Sequence, residues 1–105
     1  MLTDKRQQDL ARAMYYIAKT VDGTRLVSSN DGWENVMPTD LVTIHDYAYD
    51  DSEFQKNYVD TDVNALNPAG RKVISEGNEY SGQPIIFSEF GGIAMKSNSG
   101  DENWG

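Results

Sequence analysis

The chain has 105 residues, and its 17 Asp and Glu against 9 Lys and Arg give a formal net charge of −8. A pI near 4.4 excludes nucleic-acid binding through clustered Lys and Arg. With no cysteine and one histidine, the sequence excludes disulfides, thiol nucleophiles, zinc–thiolate sites and metal sites built from several imidazoles.

The length sets a ceiling of one domain. No apolar run approaches the roughly 20 residues of a membrane span, and no cleavable secretory signal is read. In chain order, the opening stretch predicts a helix. Asp4 is its candidate N-cap, with Gln7 placed to close a capping box. Leu10, Met14, Ile17, Ala18 and Val21 recur at the spacing of one helical face, expected to point inward. Asp22-Gly23 supplies a stop, glycine tolerating the left-handed backbone at a helix end.

Thr24–Ser29 then predicts a first strand, broken by Asn30-Asp31-Gly32. Leu41–His45 predicts a second and Pro84–Phe87 a third. All three runs are near-continuous in apolar character, as expected of strands covered on both faces. The eleven residues from Asn30 to Asp40 are too few for a crossover helix. A second helix is expected from a cap at Asn67 through Pro68, Val73 and Ile74 to Gly77. Asp50–Asp62 fits either a short surface helix or a loop. The polar tail Lys96–Gly105 carries a lone Trp104 and reads as cut rather than finished. This order predicts an α/β layer with parallel strands. Three strands make either a small free-standing fold or a slice of something larger.

The chemistry gathers at the strand ends, where parallel α/β architectures place their ligands. The third strand runs into Ser88-Glu89-Phe90-Gly91-Gly92. From pattern alone, Glu89 is either a functional carboxylate or a side chain emerging into solvent. The second strand ends in His45-Asp46-Tyr47-Ala48-Tyr49. His45 alone reads first as a satisfied structural histidine, and alternatively as a group that binds a sugar hydroxyl. The first strand ends in Asn30-Asp31-Gly32-Trp33-Glu34, where a tryptophan in so polar a setting needs a ligand or a loop to pack against.

Asn30-Asp31-Gly32-Trp33-Glu34, then Thr39-Asp40 with Ile44-His45-Asp46-Tyr47, then Pro84-Ile85-Ile86 with Ser88-Glu89-Phe90-Gly91-Gly92 resemble the catalytic barrel of the β-galactosidase/β-glucuronidase family, the family 2 glycoside hydrolases. Asp4-Lys5-Arg6-Gln7 and Asn67-Pro68 to Arg71 extend the resemblance over essentially the whole chain. It implies that residues 1–105 are a partial (β/α)8 TIM-barrel domain containing about strands five to seven; a complete barrel takes about 250 residues. By position, the resemblance makes Glu89 the catalytic nucleophile and Tyr47 the tyrosine that hydrogen-bonds it. Asn30, Trp33, His45 and Asp46 fall where the family lines its sugar site.

The implied activity is retaining exo-glycosidase hydrolysis of a carbohydrate substrate, with no metal and no cofactor expected. A tyrosine hydroxyl that donates to a carboxylate favours the ionised form a nucleophile needs. The family's acid/base is a Glu in an Asn-Glu pair after the fourth strand, which this chain lacks. Asn78-Glu79 is rejected for that role because it precedes a strand. The isolated chain is therefore expected to be inactive and to form a homo-oligomer through exposed strand edges. The alternative is a non-catalytic α/β module that binds a carbohydrate or a protein. A flavodoxin-like protein is disfavoured because no Gly-rich phosphate loop follows the first strand.

Overall fold

The computed structural model describes Leu2 and residues 4–48 and 50–91. Its centre is β1, Val42–Asp46, whose five residues are all buried. β1 pairs in parallel with β2, Ile85–Phe90, in the register Val42↔Ile85, Thr43↔Ile86, Ile44↔Phe87, His45↔Glu89 and Asp46↔Phe90. The step from Ile44/Phe87 to His45/Glu89 skips Ser88, leaving a bulge just before the carboxylate. β2 is not covered as expected: Ile86 and Phe90 are 45% and 72% exposed.

Between the strands, Asp51–Tyr58 forms the short helix α2, capped by the Asp50 carboxylate on the Ser52 amide. Its Phe54 and Tyr58 rings pack on Phe87 at centroid distances of 4.9 and 4.8 Å. Val42, Ile44, Leu66, Val73 and Ile74 form the core on the same side of the sheet. The fold is thus a small α/β layer with two parallel strands in one sheet.

The expected helix over Asn67–Gly77 is replaced by a single 3₁₀ turn, Pro68–Gly70, in which Ala69 and Gly70 adopt positive φ. The chain then runs extended: the Glu34 and Asn35 amides donate to Lys72 and Val73 carbonyls, and the Ser75 amide donates to the Asn35 carbonyl. Val73 and Ile74 are buried as expected, but from an extended segment bridged in parallel to Asn35.

Thr24–Ser29 is also not a strand. Side chains satisfy its backbone instead, with the Asp40 carboxylate accepting from the Val27 amide and Thr39 Oγ1 from the Ser29 amide. The flank of β1 is closed by a buried side chain: Asn35 donates to the Thr43 carbonyl at 3.0 Å and accepts from the Thr43 amide at 3.3 Å.

Helix α1, Lys5–Val21, begins at Asp4, whose carboxylate accepts from the Arg6 amide at 2.8 Å. It ends at Asp22, which accepts from the Thr24 amide and hydroxyl; Gly23 is not left-handed. The docked face differs from the expected one. Gln8, Arg12, Tyr15 and Lys19 hold the helix to the rest of the chain. Gln8 donates to the Leu2 and Glu76 carbonyls, Arg12 to the Met37 carbonyl, and Tyr15 and Lys19 to the two oxygens of Asp40. Leu10, Met14, Ile17 and Val21 are 62%, 62%, 63% and 82% exposed, and only Ala18 of the predicted face is half-buried. The apolar stripe exists, and among the described residues nothing covers it. Trp104 and the rest of the tail lie outside the described residues, as does Tyr49.

Candidate active site

Parallel pairing aligns the C-terminal ends of β1 and β2, so the polar residues that follow each apolar run meet at one end of the sheet. Register sets His45 opposite Glu89. The Tyr47 hydroxyl donates to Glu89 Oε2, and His45 Nδ1 lies 3.7 Å from the same oxygen. The negative charge of Glu89 beside the phenol raises the Tyr47 pKa above its ordinary value, chiefly through this hydrogen bond.

The loop before β1 supplies the other wall. Asp31 Oδ1 accepts from the Ser88 hydroxyl at 2.7 Å, and Asp31 Oδ2 lies 3.3 Å from His45 Nε2. The Ser88 hydrogen bond, with further help from the Thr43 hydroxyl and the His45 ring, holds the Asp31 carboxyl below the usual range. The bulge at Ser88 makes this arrangement available, since neighbouring residues Ser88 and Glu89 both reach the same cluster.

Gly32 sits at φ +78° against the imidazole; a Cβ there would fall 2.3 to 2.5 Å from three ring atoms. Its carbonyl accepts from the His45 amide. Trp33 packs edge-on to the His45 ring at 4.8 Å. The indole is fixed by its Nε1–H donating to the Pro68 carbonyl and by the Arg71 guanidinium 4.6 Å from its ring centre. Arg71 also reaches the largely buried Glu34 carboxylate at 3.5 Å.

Of the residues picked from the sequence, Glu89, Tyr47, His45 and Trp33 come together. Asn30 and Asp46 do not join them. The Asn30 amide donates to the Trp33 carbonyl and shapes the loop. Asp46 points the other way, accepting from the Tyr58 hydroxyl at 2.6 Å and the Ala48 amide at 2.9 Å. Burial, and after it the hydrogen bond to that carboxylate, push the Tyr58 phenol up. Asp31 and Ser88 belong to the cluster although the sequence pattern does not single them out. The available signal was Ser88 beside Glu89, and an aspartate before a glycine, which suits any turn.

Asn78 serves the framework, its side chain meeting the Met37 amide, Arg12 and Gln8. The Glu89 side chain is 54% exposed, so the cluster is open to solvent on one side. A cleft of about 230 Å³ lined by Lys56, Tyr58, Leu66 and Pro68 does not include it.

No protein-family model, no curated protein and no solved structure matches this chain.

Proposed function

We propose that this chain is the nucleophile-bearing segment of a retaining exo-glycosidase of the β-galactosidase/β-glucuronidase type, a slice of a (β/α)8 barrel. The observation that carries the reading is the Tyr47–Glu89 hydrogen bond across the C-terminal ends of adjacent parallel strands. It occupies one carboxylate oxygen with a donor and leaves the other for attack. In the proposed reaction, that oxygen forms a bond to the anomeric carbon as the bond to the leaving oxygen breaks. A second carboxyl group, about 5–5.5 Å from the first, protonates the leaving oxygen and then takes a proton from the water that releases the sugar.

That second group belongs to the missing part of the barrel in this reading. The uncovered stripe on α1 and the exposed residues of β2 support the barrel-slice assignment, because a closed barrel would bury both. The test is the protein encoded by the open reading frame around this segment. Glu89→Gln there abolishes turnover of an aryl glycoside while sugar binding persists; near-normal turnover removes the assignment.

The openness of the cluster favours one second reading, a module that binds sugar without chemistry. It predicts no turnover from that reading frame, with binding weakened by Trp33→Ala.

A further inference from the structure

His45 is the only histidine in the chain, and its ring is held on three sides. Asp31 lies at Nε2, the Gly32 backbone lies against the ring, and Trp33 packs edge-on. The fourth side, at Nδ1, faces Glu89 Oε2 across 3.7 Å, too long for a hydrogen bond. A neutral imidazole has one N–H and one lone pair, and the partner of one nitrogen decides the state of the other.

We propose that Asp31 is a positioning residue for His45. It accepts a hydrogen bond from Nε2–H and so presents Nδ1 as an acceptor beside Glu89, forming a two-acceptor seat for one hydroxyl of the ligand.

The chemistry of the cluster supports this. Ser88 donates to the other oxygen of Asp31, fixing the carboxylate's direction, and the depressed Asp31 pKa keeps it ionised and purely an acceptor. Two acceptors 3.7 Å apart put one hydroxyl oxygen within reach of both, its single proton shared between Nδ1 and Oε2. The identity of that donor rests on the glycosidase reading. With the other Glu89 oxygen aimed at the anomeric carbon, the seated group is the hydroxyl on the neighbouring carbon.

The experiment is long-range ¹H–¹⁵N correlation on the full chain labelled with ¹⁵N-histidine, where one ring gives every imidazole signal. The expected result at pH 7–8 is an Nε2–H tautomer with an unprotonated Nδ1. Asp31→Asn, whose amide can donate to Nε2 while its carbonyl accepts from Ser88, shifts the ring toward the Nδ1–H tautomer. Glu89→Gln places a donor opposite Nδ1 and moves its resonance upfield. A wild-type ring carrying its proton on Nδ1, or on both nitrogens, overturns the proposal. So does a tautomer unchanged by Asp31→Asn. The wild-type spectrum decides even if a variant fails to fold. Because it measures only the ring, this result can stand while Glu89 fails as nucleophile, or fall while Glu89 succeeds.

Discussion

The Tyr47 hydroxyl and the Glu89 carboxylate, 42 residues apart in sequence, are joined directly by a hydrogen bond where β1 and β2 end side by side. Parallel pairing makes the contact: an antiparallel strand would carry Glu89 to the far end of β1. The phenol is thereby tied to the charge of its partner.

Glu89→Gln removes that charge, so the Tyr47 phenol, now raised above 10.0, should titrate lower. Alkaline ultraviolet difference titration of the two proteins reads this change from one tyrosine among six. Identical titration curves would mean that the pair is not formed in solution.

Gly32→Ala should damage the cluster around His45 without touching a functional group. The new Cβ would sit 2.3 Å from the nearest His45 ring atom, on a backbone already at φ +78°. The left-handed strain alone costs about 1–3 kcal/mol, and the ring must also shift. Urea unfolding should show the loss, and the His45 ring resonances should move. Unchanged stability would show that the loop is not packed on the ring.

The pairing of β1 with β2 was legible because both are short apolar runs bounded by turn residues. Thr24–Ser29 carries the same β-forming residue types, yet Asp40 and Thr39 side chains take its amides; no local pattern announces a side chain that replaces a strand. Val73 and Ile74 would be buried in a helix or an extended segment alike, so their apolar character could not choose between the two. The stripe on α1 is legible as a stripe, but what lies opposite it is a tertiary fact. In the site, Glu89 and Tyr47 came from the family resemblance. The Asp31–His45–Glu89 line depends on a bulge and on a loop that returns from 14 residues away.

Acid should loosen α1. Asp40 holds that helix through Tyr15 and Lys19, and its pKa is lowered from 3.8 to about 2, first by the Tyr15 hydroxyl and then by Lys19 and the Val27 amide. A depressed folded-state value means that the stabilisation is complete above about pH 4 and is lost as pH falls through about 2. Unfolding midpoints at pH 5 and pH 2.5 should converge in Asp40→Asn relative to wild type. A variant that keeps the full wild-type acid dependence would place the effect elsewhere.

Self-association is expected through the bare stripe of α1 and the open side of β2. The net charge of −8 opposes it and is screened by salt. Light scattering should therefore report a dimer or larger species that strengthens with salt, since burial of about 1,600 Å² can outweigh the residual repulsion. Met14→Lys with Ile17→Lys should return the chain toward monomer. A wild-type monomer at high concentration and moderate salt would show that these faces do not recruit a second copy.

The nucleophile assignment is tested most directly by covalent trapping. The protein encoded by the surrounding reading frame is incubated with a 2-deoxy-2-fluoroglycoside bearing a good leaving group, which needs little protonation to depart. Intact mass and peptide mapping then locate the sugar. The account predicts one glycosyl adduct per chain on the peptide containing Ser88-Glu89-Phe90, and none in Glu89→Gln. An adduct on a different carboxylate, or inactivation with Glu89 left unmodified, would contradict it.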